Sequence, residues 1–153
     1  MKKVLLLALV FAMVIAIVPV AAYPYSQAYG FERLSIEING EEVSIPEEYG
    51  AVMIINERTM VPVRFVSEHL GFDVTWVESE QLVMFMSRVD ITHFVAFQIG
   101  GYNLLSEGRI TVMDVPAMLI DARSYIPIRF FAEVIGFEVT WDYYTQTVGL
   151  NRQ

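Results

Sequence analysis

Apolar and polar positions follow two periods along this chain, and the same change of period occurs twice. Leu34-Ser-Ile-Glu-Ile38 alternates apolar and polar residues, which predicts a half-buried strand. Asn39-Gly40 follows as a hairpin dipeptide, and Glu41–Ile45 is the expected return strand. Pro46–Gly50 reads as loop, Val52–Ile55 as a short strand, and Asn56-Glu57 as a turn into Thr59–Val61. The period then changes. Val63, Val66 and Leu70 fall at i, i+3 and i+7, one face of a helix. Pro62 is expected at its first position, and Gly71 is placed to end it in the left-handed conformation. Phe72, Val74 and Trp76 alternate with Asp73 and Thr75, so a strand leaves the helix. A loop of about five residues (Val77–Gln81) leads to another strand, Leu82–Met86.

The second passage repeats the first. Arg58–Phe85 aligns without a gap on Arg123–Leu150, an offset of 123 − 58 = 65 residues, and twelve of the 28 positions are identical. Pro127, Ile128, Phe131, Ile135 and Gly136 restate the helix cues. Phe137, Val139 and Trp141 restate the strand, Asp142–Gln146 the loop and Thr147–Asn151 the last strand. Ser67 and Ala132 keep the helix face small for close approach to a sheet. Between the copies, Ile91–Ile99 reads as a strand, Gly100-Gly101 as a hairpin turn, Ser106–Gly108 as a polar loop before Ile110–Met113, and Ala117–Ile120 as a parallel to Val52–Ile55. Ile36–Gly40 matches Phe97–Gly101 in kind. The expected architecture is α+β: mostly antiparallel strands, two short helices, and an internal duplication of a helix–strand–hairpin–strand unit.

The first residues follow a different pattern. Lys2-Lys3, an uncharged run from Val4 to Val18, Pro19 and the small residues Val20-Ala21-Ala22 predict a secretory signal peptide over 1–22. Ser26-Gln27-Ala28 offers a second cleavage site, and an uncleaved anchor is the alternative, although the run is short for a span of roughly 20 residues. Residues 23–33 read as a loosely ordered linker. Residues 34–153 read as one domain of two repeats, about 34–88 and 89–153. Cleavage after Ala22 leaves 153 − 22 = 131 residues with eight arginines, no lysine and eighteen acids, a charge of 8 − 18 = −10. That balance excludes a nucleic-acid partner and an anionic membrane surface. The chain has no cysteine, so stability must come from the core.

The repeated residues resemble a known family. Met60-Val-Pro-Val-Arg-Phe65, Leu70-Gly71 and Val74-Thr-Trp76, with Tyr125-Ile-Pro-Ile-Arg-Phe130, Ile135-Gly136 and Val139-Thr-Trp141-Asp142, look like the copper amine oxidase N-terminal-like domain, or stalk domain. The run-up from Asp114 to Arg123 also fits, and the resemblance covers about Leu34 to Asn151. Val77 departs from it, standing where the family has Asp after Trp. The resemblance implies an exported bacterial module found at the cell surface beside other domains. In the oxidases the chemistry lies in a separate domain that needs an Asn-Tyr-Asp/Glu context and three copper-binding histidines. This chain has two histidines, His69 and His93, and no Asn-Tyr pair, so oxidase activity is not carried over.

Each candidate site has an ordinary structural account beside it. Trp76 and Trp141 could stack on sugars, but their alternation with Phe72 and Phe137 makes them expected core aromatics. Arg64 and Arg129 could grip an anion. Glu68 and Glu133, four residues on, offer intrahelical ion pairs instead, or each Arg could brace a neighbouring loop's carbonyls. His69 is replaced by Val134 in the second copy, and the methionines sit in strand-like runs as core filler. Neither a metal site nor any cofactor is expected. Tyr143-Tyr144, in a hairpin loop, are the best candidates for a glycan or protein contact, and the matching Glu78-Ser79 lacks them. Pro62, Arg64, Gly71, Trp76, Pro127, Arg129, Gly136 and Trp141 are read as motif residues that serve the scaffold. No nucleophile elbow or phosphate-binding glycine loop occurs. The expected function is a secreted, non-catalytic binding module of the cell envelope, with a cell-wall glycan or another surface protein as partner. An assembly module pairing through sheet edges is the alternative. A small hydrolase or metal protein stands behind both.

Overall fold

The computed structural model describes residues 34–152; the expected signal peptide and linker lie outside the described residues. Thirteen strands form three sheets. The first half contributes β1 (Ser35–Ile38), β2 (Glu41–Val43), β3 (Met53–Ile55), β4 (Arg58–Pro62), helix α1 (Val63–His69), β5 (Phe72–Val77) and β6 (Leu82–Ser87). Then come β7 (Phe94–Gln98), β8 (Asn103–Ser106), β9 (Arg109–Val112), β10 (Met118–Ile120), β11 (Arg123–Pro127), helix α2 (Ile128–Val134), β12 (Phe137–Asp142) and β13 (Thr147–Arg152).

This arrangement overturns the α+β expectation. The molecule is β-rich, and each helix is only seven residues long. Strands β2, β3 and β10 fall where the sequence pattern placed strands but span just three residues each, and β8, which the pattern did not mark, spans four. They become strands because neighbours satisfy their backbone groups. The loop expected around Ser106–Gly108 is instead the tight turn of a β8–β9 hairpin, with Glu107 and Gly108 at positive φ. The strand expected from Ile91 starts only at Phe94.

The sheets draw on both halves of the chain. The central sheet has the order β10-β11-β4-β3, and its two inner strands pair antiparallel, Val61 opposite Ile126. Met60 opposite Pro127 and Pro62 opposite Tyr125 flank that pair. A shift of 65 residues exchanges these two pairs, so a local dyad passes between Val61 and Ile126. The hairpin turns outside them agree, with Asn56-Glu57 and Asp121-Ala122 all at positive φ. One flanking sheet, β12-β13-β1-β2, joins the last hairpin of the second half to the first hairpin of the chain, with β1 parallel to β13. The other, β5-β6-β7-β8-β9, joins the last hairpin of the first half to strands that follow it. The structural counterpart of β1–β2 is therefore β8–β9, not Phe97–Gly101. β1 and β8 have the same burial order, with Ile36 and Leu104 as the buried residues. Strand β7 is intercalated between β6 and β8, so β8 still runs in the same sense as β6.

A main core draws on all three sheets, with two smaller apolar clusters beside it. Phe85, Phe97, Phe131, Ile36, Leu104, Ile126 and Leu150 are fully buried and belong to a single cluster with Val61, Phe65 and Val66. Ser67 is buried at the helix–sheet contact, its hydroxyl donating to the Val63 carbonyl at 2.6 Å, and Ala132 occupies the matching place. Met60, Met84, Met113 and Met118 are buried. Gly71 and Gly136 end the helices at φ of 88° and 82°. Pro62 and Pro127 sit one residue earlier than expected. Each closes its strand in extended geometry (ψ 115° and 117°) directly before the helix, because both pair across the dyad.

Candidate functional site

Trp76 and Trp141 are not core residues: 40% and 44% of their surfaces remain exposed. The reason is length. A seven-residue helix covers about 10 Å, whereas a six-residue strand spans about 20 Å. Phe72 and Phe137 are covered, Val74 and Val139 are half-buried, and the indoles emerge past the end of the cover.

Each indole lines an open groove. The first, of about 630 Å³, is bounded by Pro62, Val63, Arg64, Val74, Trp76, Glu78 and Val83. Across it stand Leu119, Ala122, Arg123 and Ser124 from the β10–β11 hairpin, with Glu48 and Tyr49 at one end. The second, of about 580 Å³, is bounded by Pro127, Ile128, Arg129, Val139, Trp141, Tyr143 and Val148. Its facing wall is Ile54, Glu57, Arg58 and Thr59 from the β3–β4 hairpin, with Thr140 and Gln146 completing it. Apart from Glu48, Tyr49, Thr140 and Gln146, every lining residue of one groove has its partner in the other at the 65-residue offset. Each groove takes one wall from each half of the chain.

The arginines are held differently. Arg58 pairs with Asp114, with Nη2 at 2.6 Å and Nε at 2.8 Å from one carboxylate oxygen, and this bond raises its pKa. Arg123, its counterpart, donates from Nε to the Glu48 carbonyl at 3.0 Å. The loop-bracing role considered for Arg64 and Arg129 thus falls to Arg123. Arg129 lies 3.9 Å from Glu133, the expected i,i+4 pair, with both side chains exposed. Arg64 makes no such pair among the described residues, and Glu68 instead accepts from the Tyr49 hydroxyl at 3.3 Å. Arg58 and Arg123 were not singled out in the sequence, although they are identical and open both aligned segments.

Tyr143 and Tyr144 are 73% and 95% exposed, and their rings meet edge to face at 6.1 Å. Their loop is ordered by Asp142. Its Oδ1 accepts from the backbone N–H of Tyr144 at 2.8 Å and of Thr145 at 3.3 Å. Those backbone bonds, Thr145 first, lower the Asp142 pKa below its ordinary value. Gln146 adds a side-chain bond to the Tyr143 carbonyl at 2.9 Å. Val77 makes no equivalent bond, yet the first hairpin forms with the corresponding register, Val77 opposite Leu82 and Asp142 opposite Thr147. Both end loops close through a left-handed glutamine, Gln81 and Gln146.

The histidines serve separate neighbourhoods. His69 Nδ1 contacts the Phe65 carbonyl at 2.8 Å. His93 lies between Asp90 and Glu107 at 3.1 and 3.0 Å. Among the described residues, no group of three or more His, Cys, Asp or Glu is arranged to hold a metal ion.

With this geometry in place, comparison with known families is decisive: the model of the copper amine oxidase N-terminal domain matches residues 37–150. The chain belongs to that family. The match is to the N-terminal domain and not to the catalytic domain of the oxidases, which makes this a stalk-type domain at family level. No curated protein matches the chain.

Proposed function

We propose that this stalk-type domain is exported and acts at the cell envelope as a binding module without catalytic activity, its ligand a saccharide chain. The observation that carries the reading is the pair Trp141 and Tyr143 lining the second groove, with Tyr144 exposed beside Tyr143 on a loop whose backbone is bonded to Asp142. Ordered aromatic faces bind at little entropic cost, because few side-chain torsions remain to be frozen. Aromatic rings pack on the C–H faces of sugars, while guanidinium and carboxylate groups bond the ring hydroxyls. The signal-peptide pattern over 1–22 supports export.

The test is co-sedimentation of the purified chain with insoluble cell-wall peptidoglycan and with chitin. The native chain pellets with at least one of them, and the Tyr143→Ala/Tyr144→Ala variant binds at least tenfold more weakly. Equal pelleting of both proteins, or of neither, overturns the reading. A second reading, assembly through a sheet edge, draws support from β9, where Ile110 and Val112 are exposed on an edge strand. It requires a concentration-dependent dimer in sedimentation and no glycan binding.

A further inference from the structure

We propose that the first groove, at Trp76 and Arg64, is a second saccharide site, and that the domain therefore joins two saccharide chains or two arms of a folded one. The inference rests on the saccharide reading above and extends it to a surface without exposed tyrosines.

The two grooves share their working parts. Each places an indole beside the arginine of a helix's first turn, Trp76 with Arg64 and Trp141 with Arg129. Each faces a second arginine on the opposing hairpin, Arg123 or Arg58. Charge selects the ligand. The first groove holds two arginines against Glu48 and Glu78, and in the second Arg58 is already neutralised by Asp114. Balanced donors and acceptors beside an aromatic face match an uncharged saccharide, whose hydroxyls both donate and accept. An anionic polymer would meet no excess of positive charge in the first groove. Glu78 replaces Tyr143 there, and Tyr49, the first groove's other aromatic, is half-buried with its ring against Phe65 and its hydroxyl on Glu68, so the first groove offers less free stacking surface and binds more weakly.

Direction follows from symmetry. The dyad of an antiparallel strand pair is normal to the sheet, and here it passes between Val61 and Ile126. The dyad carries one groove to a different place on the molecule and reverses any ligand direction that lies in the sheet plane. A saccharide chain has one chemical direction, so one straight chain cannot fill both grooves in the same way. Two chains, or two arms of a folded one, are required.

Calorimetry with a soluble N-acetylglucosamine hexamer reads the sites directly. The native chain takes two hexamers, the second more weakly. Trp76→Ala and Trp141→Ala each leave one, and the double variant leaves none. Arg64→Met weakens only the site that Trp76→Ala removes, which guards against a general folding defect. With soluble glycol chitin, the native chain raises light scattering through cross-linking, and either single tryptophan variant binds without cross-linking. One hexamer per chain, lost with Trp141→Ala and indifferent to Trp76→Ala, overturns the two-site proposal and leaves the proposed function intact. No heat with any protein, at concentrations up to millimolar hexamer, overturns the two-site proposal, and the pelleting test then decides the proposed function separately.

Discussion

Val61 and Ile126 face each other across the β4–β11 ladder, both fully buried, and every correspondence between the two halves of the chain turns about that contact. Ile126→Ala removes a side chain from the point where both halves meet. It should cost about 2–5 kcal/mol, as large-to-small core changes do. Denaturant unfolding should show a lower midpoint with an unchanged slope, and a loss below about 0.5 kcal/mol would contradict the packing described.

Neither half should fold alone. Residues 34–88 lack β13, which flanks β1, and β11, which flanks β4, and they lack β7 beside β6. Expressed separately, this fragment should give no cooperative thermal transition by circular dichroism. A sharp melt would mean that the halves are self-sufficient bodies.

Gly71 and Gly136 give a cleaner test of backbone conformation. An added Cβ at either position meets no heavy atom within 4 Å, so only the positive φ opposes substitution. Gly71→Ala and Gly136→Ala should each destabilise by about 1 kcal/mol, and by similar amounts. The melting temperatures of the two variants check both statements.

Asp142 should confer an acid-sensitive order on the tyrosine loop. Its folded pKa lies below the ordinary 3.8 because ionised Oδ1 accepts the Thr145 and Tyr144 amides. A depressed pKa contributes stability above the unfolded value, and that contribution is lost as pH falls through the folded value. Asp142→Ala should speed amide exchange at Tyr144 and Thr145 at neutral pH. The difference from the native chain should shrink under acid, below the ordinary carboxylate range.

Both indoles should be reachable from solvent. Acrylamide should quench Trp76 in the Trp141→Phe variant and Trp141 in the Trp76→Phe variant to similar extents, given exposures of 40% and 44%. Blue-shifted, unquenched emission from either would place that residue in the core.

What the sequence carried was local. The turn dipeptide Asn39-Gly40, the helix stops at Gly71 and Gly136, and the buried positions Val63, Val66 and Leu70 follow from backbone freedom and periodicity within a few residues. The family signature was legible for the same reason: its prolines, arginines, glycines and tryptophans recur at fixed short spacing. The tertiary structure decided what depends on distant partners. Strand β8, which no local pattern marked, owes its state to pairing with β7 and β9. The alternation of Phe72, Val74 and Trp76 fixes which side of the strand they share. It does not fix how far the covering helix reaches, and so it left the exposure of Trp76 and Trp141 undetermined. The grooves were hidden for the same cause, since each needs one wall from either half, brought together only when β4 meets β11.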